Sequence, residues 1–144
     1  MANVKQISVF VDNKPNQAAG AMRLIKESGV NLRALSLADT ADFGIIRIIA
    51  NDTEKAVDIL KAASYAVTVT EVVAISIPDT PGQLSRVLDI LGEADVNVEY
   101  LYSFVGTSDR SVSFVIRVDD NDRASDVLTR SGVIQLTEND IAEM

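Results

Sequence analysis

The chain repeats itself, and no other feature limits its possible folds as much. A shift of 66 positions matches Pro15 with Pro81, Gln17 with Gln83, Glu27 with Glu93, Val30 with Val96, Asn31 with Asn97 and Leu35 with Leu101. Beyond a hairpin two residues longer in the second half, a shift of 68 matches Ile48 with Ile116, Asp52 with Asp120, Ala56 with Ala124 and Leu60 with Leu128. A register held through helix-period and strand-period segments alike marks an internal duplication. The 144 residues therefore read as two small domains, 1–71 and 72–144.

Each copy has the same predicted order. Lys5 to Val11 alternates, with Ile7, Val9 and Val11 on one face, and reads as a strand. The turn Asp12-Asn13-Lys14-Pro15-Asn16-Gln17 leads to a helix striped by Ala18, Ala21, Met22 and Ile25, which Gly29 ends. Strands follow over Val30–Ala38 and Phe43–Ala50, joined by a turn at Thr40-Ala41-Asp42. Asn51 or Asp52 can cap the next helix, and Asn51 would form a capping box with Glu54. Strand residues resume at Ala66. The second copy reads as strand Val72–Ile77, helix Pro81–Ala94, strand Val96–Val105, turn Gly106–Arg110, strand Ser111–Val118, helix Asp120–Arg130 and strand Val133–Leu136. Thr137 and Asp140 could cap one further turn in a frayed tail. Between the copies, Tyr65 to Ile77 contains neither Gly nor Pro, so the last strand of one copy runs on into the first strand of the next.

The expected class is α+β, with two βαββαβ units, each an antiparallel sheet carrying helices on one face, placed side by side. Two helices cover only one sheet face, yet both faces carry apolar residues. Leu32 and Ala34 stand opposite Leu35 and Leu37; Phe43, Ile45 and Ile49 stand opposite Ile46 and Ile48; Val98, Tyr100, Tyr102 and Phe104 share a face. A monomer would expose these residues, which predicts a homodimer covering them.

The most informative turn is Pro78-Asp79-Thr80-Pro81-Gly82-Gln83-Leu84. Pro81 is placed to open the helix as its first residue, where a missing N–H costs nothing. Gly82 lets another group approach the backbone, and the free N–H groups of a helix start suit a carboxylate. Taken alone, Pro-Gly also simply punctuates a strand-to-helix turn.

Other chemistry is bounded by what the chain lacks. With no Cys and no His, it has no thiol nucleophile, disulfide, imidazole base or common zinc ligand. No Gly-rich phosphate loop and no nucleophile elbow occurs. Asp119, Asp120 and Asp122 do not have calcium-loop spacing and read as a helix start. Neither a catalytic residue nor a cofactor or metal site is expected. A net charge of −8 opposes binding to nucleic acid, although βαββαβ is also the order of RNA-recognition modules. No apolar run reaches the roughly 20 residues of a membrane span, and the N-terminus enters a strand directly rather than a signal peptide, so a soluble cytoplasmic protein is expected.

The unit strand–Asp79-Thr80-Pro81-Gly82-Gln83-Leu84–helix–Val96-Asn97-Val98–strand, with its weaker echo Asn13-Lys14-Pro15-Asn16-Gln17 and Gly29-Val30-Asn31-Leu32, resembles the ACT domain. This is a ferredoxin-like module of regulators of amino-acid metabolism, here in two copies over almost the whole chain. The resemblance implies a non-catalytic regulator that binds an amino acid or related small metabolite between modules. One module would contribute its first turn and helix start, and its neighbour an Asn at the start of the second strand. The matching positions are Asn13, Lys14, Pro15, Asn16 and Gln17, and Asp79, Thr80, Pro81, Gly82, Gln83 and Leu84, in the turns, with Asn31 and Asn97 at the strands. Helix-start N–H groups would supply donors to a carboxylate; Asp79 and the Asn oxygens would accept from an ammonium group. The two Asn residues could instead merely shape the helix-to-strand loop. Asn16 replaces the glycine, which ranks the first turn below the second. The alternative implied role is a regulatory subunit or partner of a biosynthetic enzyme such as acetolactate synthase.

Overall fold

A computed structural model describes residues 3–39, 42–106 and 110–144. Thr40 and Ala41 of the first expected hairpin turn, and positions 107–109 of the second, lie outside the described residues. The elements are β1 (Asn3–Asp12), α1 (Gln17–Ser28), β2 (Leu32–Asp39), β3 (Phe43–Ala50), α2 (Thr53–Ala62), β4 (Ala66–Pro78), α3 (Gln83–Glu93), β5 (Val98–Ser103), β6 (Ser111–Val118), α4 (Asn121–Arg130), β7 (Ile134–Gln135) and α5 (Glu138–Ala142). The order is βαββαβ twice, with β4 shared as the last strand of one repeat and the first of the next, followed by the short α5. By contacts, one compact unit comprises Lys5–Thr70 with Ile141–Met144, and the other centres on Glu71–Asp140.

In the first unit β3 lies between β1 and β2, antiparallel to both, with Ile7 opposite Ile48 and Leu37 opposite Ile46. Strand alternation sends Ile7, Val9, Val11, Ile46 and Ile48 to one face. Ala21 and Ile25 of α1 and Ala56 and Leu60 of α2 close over them as a buried core. In the second unit Ile75 is opposite both Phe114 of β6 and Gln135 of β7, and β5 pairs with β6, which gives the order β7-β4-β6-β5. Its core repeats the first: Val73, Ile75, Ile77, Ile116 and Val118 under Val87, Leu91, Ala124 and Leu128. Each fully buried Ile or Leu contributes about 1.5–3 kcal/mol by leaving water, so the helix stripes hold the units closed.

Several local expectations are corrected. α3 begins at Gln83, not Pro81, because Gly82 takes φ 87° and a left-handed residue cannot continue a right-handed helix backwards. Asp52, not Asn51, caps α2 by accepting from Lys55 N–H at 3.1 Å, so Asn51 and Glu54 form no capping box. β-Bulges lie between Leu32 and Ala34 and between Val98 and Tyr100. The extra residue flips the alternation, so Leu32 and Val98 pack on the helix-side cores, while Ala34 and the Tyr100–Tyr102 stack face the other way. The tail is ordered. Thr137 and Asp140 cap each other reciprocally, Ile141 is 1% exposed, and Arg33 donates to the carbonyls of Ile141 and Ala142. The second sheet faces are also less bare than expected, since Ala34, Ile49, Ala74 and Val115 are all buried.

Candidate functional site

The two βα turns are copies of one geometry. After β1, Lys14 N–H donates to Asp12 O, Gln17 N–H to Lys14 O and Gly20 N–H to Asn16 O. After β4, Thr80 N–H donates to Pro78 O, Gln83 N–H to Thr80 O and Arg86 N–H to Gly82 O. Asn16, at φ 71°, and Gly82, at φ 87°, occupy the same left-handed position before α1 and α3. Only Gly takes this conformation without strain, and Asn is among the few side chains that tolerate it. Residues 13–16 and 79–82 are exposed, and a Cβ built on Gly82 meets nothing within 4 Å.

The four main helix starts fall into two kinds. Asp52 and Asp120 cap α2 and α4 with their side chains, and Glu54 and Asp122 add acid to the first turns. α1 and α3 have neither a side-chain cap nor an acid in the first turn. At α3 this leaves the Leu84 and Ser85 N–H groups without a capping oxygen. An acidic chain thus keeps its carboxylates away from the first turn of the two helices that follow the candidate turns. A positive dipole end with uncapped donors attracts an anion supplied from outside.

Asn31 and Asn97 lie elsewhere. Pro78 pairs with Ser111 at one end of β6, whereas Asn97 precedes β5 at the other end of β6, where Val98 pairs with Val118. α3, with 11 residues, spans about 16 Å between them. Asn31 is likewise separated from the Asn13–Gln17 turn by α1. The main chains of the two Asn residues make matching bonds. Asn31 N–H donates to Asn51 Oδ1 and accepts from Asn51 N–H through its carbonyl; Asn97 does the same with Asp119. Their exposed side-chain amides make no hydrogen bond among the described residues. Each unit therefore brings its own turn residues together but not the Asn with them.

Two contacts at the turns were missed from sequence. Arg86, one turn into α3, donates to Ser131 O at 2.7 Å at the end of α4. At the equivalent place in α1 stands Gly20, and a Cβ there would fall 2.8 Å from the hydroxyl of Tyr65. A glycine inside a helix stripe was the available signal, since it costs about 1 kcal/mol relative to Ala unless something needs the space.

No group of three His, Cys, Asp or Glu among the described residues could hold a metal ion. Asp119 accepts from Asn97 N–H and Asp120 from Arg123 N–H, so both act as local caps. No helix of the described residues is long and apolar enough to cross a membrane. One surface hollow, of about 280 Å³, lies between α3 and α4 and is lined by Ile90, Glu93, Val127 and Arg130, away from the turn residues.

The family model of the ACT domain pair matches residues 2–144, which span both βαββαβ units. The chain belongs to the ACT domain pair family. A protein of Bacteroides thetaiotaomicron of known crystal structure is 36% identical to this ACT pair, with a TM-score of 0.92 over 99% of this chain and 98% of that one. The ligand-free regulatory subunit of aspartate kinase from Thermus thermophilus shares the fold at 14% identity and a TM-score of 0.64, over 90% of this chain and 93% of that one. The corresponding subunit from Thermus flavus does so at 15% identity and a TM-score of 0.62, over 92% and 94%. No curated protein sequence matches this ACT pair.

Proposed function

We propose that this ACT pair is a non-catalytic sensor of an amino acid or closely related metabolite, whose carboxylate is received at the Gly82 turn. The observation that carries the reading is the contrast between helix starts. α2 and α4 are neutralised by their own Asp caps, while α1 and α3 present uncapped N–H groups. A carboxylate at α3 would accept from these donors, and Asp79 stands in the same turn to accept from an ammonium group. Asn97 is too far along its own unit to join this turn, so a second chain supplies the Asn contact and the protein works as a homodimer. The Asn16 turn ranks below it, because its side chain adds bulk where Gly82 leaves open space.

A role as the regulatory subunit of a biosynthetic enzyme is the second reading. It is supported by length: the Thermus aspartate kinase regulatory subunits are matched over 93% and 94% of their own chains, so a pair of such units can stand as a whole subunit. Recovery of a catalytic subunit with the tagged protein separates this reading from a free-standing sensor. The binding claim is tested by thermal shift against all amino acids and related metabolites. A true ligand at about a hundredfold excess over its Kd adds roughly 2.7 kcal/mol to stability. Absence of any shift across the panel contradicts the proposal.

A further inference from the structure

α5 spans only five residues, too short to persist alone in water. Three devices order it. Thr137 and Asp140 cap each other at its start, with bonds of 2.8 and 3.1 Å. Ile141 is buried. At its end Arg33, half-buried at the β2 bulge, donates from Nε to Ile141 O at 3.1 Å and from Nη2 to Ala142 O at 3.4 Å. Ile141–Met144 accordingly belongs by contacts to the first unit, although the chain reaches it from the second.

Nε and Nη2 form an edge of the guanidinium fork that grips both oxygens of a carboxylate. Here two neutral carbonyls, from successive residues at a helix C-terminus, stand where those oxygens would be. The negative end of a helix suits the cation. The 3.4 Å bond is longer than the usual N–H···O range, so the carbonyls fill the fork less well than a carboxylate would. The second unit has no such arrangement. A shift of 66 puts Glu99 in the place of Arg33, on its own bulge, where it lies 3.8 Å from Arg117 of β6. The fold itself therefore does not require the contact.

We propose that α5 is a displaceable strap and Arg33 its switch: the fork holds either the α5 carbonyls or an external carboxylate. Seating buries Ile141 and favours the strap. A carboxylate offers the fork charge as well as geometry and favours release. Each opposes the other, which is what an anion needs to bias a two-state element. The switch stands apart from the Gly82 turn and does not depend on it.

Phenylglyoxal modifies accessible guanidinium groups, and peptide mass spectrometry then reads the state of the fork. In wild type, Arg33 should be modified several-fold more slowly than the exposed Arg23 of α1. Ile141→Asp, which sets a charge at a buried position, should bring the two rates together. The double change Thr137→Ala, Asp140→Ala should do the same through exposed residues that leave the core alone. In wild type, acetate should raise hydrogen exchange of residues 138–142 several-fold, and chloride at the same ionic strength should not. Equal modification of Arg33 and Arg23 in wild type, or no gain at Arg33 in the double variant, overturns the strap. Exchange that acetate leaves at its chloride value overturns the switch. Gly82→Val should keep the acetate response; its loss there would assign the anion to the α3 turn and overturn the role of Arg33.

Discussion

The first and second units put left-handed residues at the same three points and fill them with different side chains. Before the first helix they are Asn16 and Gly82; after it, Gly29 and Asp95; after the second helix, Ser64 and Gly132. Each unit has glycine where the other has not. The main-chain bonds are nonetheless shared: Ser64 and Gly132 donate to Lys61 and Thr129 carbonyls, and the next residues, Tyr65 and Val133, donate back to Leu60 and Leu128. The backbone is thus the invariant of the duplication. A non-glycine residue in this conformation costs about 1–2 kcal/mol, a strain that the packed helices on either side are sufficient to hold. At Gly82 the absence of a side chain also leaves open the approach to the α3 N–H groups, which is why the proposed carboxylate site lies at the second turn.

Changes that exchange residues between the units would break or sharpen this comparison. The largest stability effect is expected at Gly20→Ala, where Tyr65 blocks the added methyl: a loss of about 1–3 kcal/mol in denaturant unfolding, largely relieved by a second change, Tyr65→Phe. No loss would mean that the phenol swings aside freely. Next is Gly132→Ala, which should cost about 1–2 kcal/mol, against a gain of up to about 1 kcal/mol for Ser64→Gly, since the two share one conformation. Equal signs for this pair would break the equivalence of the second-helix ends. Asp52→Ala and Asp120→Ala should each cost about 1 kcal/mol, by similar amounts, because each removes one side-chain cap of the same geometry. The smallest effect, a few tenths of a kcal/mol, is expected for Asn16→Gly, because Asn already tolerates positive φ and makes no cap bond there.

The comparison also explains what the sequence could reveal. Alternation in β1, β3 and β6 and the stripes of α1–α4 follow from periodicity, so the two repeats and their cores were legible. Bulges were not. They lie at Arg33 and Glu99, and nothing in an alternating pattern signals one extra residue until the partner strand fixes the register. Pro81 suggested the wrong first helical residue because the φ of Gly82 is a property of the folded turn. The Thr137–Asp140 cap was readable, but the ordering of α5 comes from Arg33, more than a hundred residues away in sequence. At the candidate site the turns were legible as motifs. The separation of Asn97 from Gly82 follows only from the strand pairing, which places them at opposite ends of β6.

The proposed sensor receives its ligand's carboxylate at the Gly82 turn. A calorimetric titration of Gly82→Val with the amino acid that stabilises wild type tests this directly, once circular dichroism and the unliganded melting curve show that the variant is folded. Loss of the binding isotherm in Gly82→Val, with Asn16→Gly binding as wild type or more tightly, is the predicted result; wild-type affinity in folded Gly82→Val would place the ligand elsewhere and leave this Pro-Gly as a turn alone.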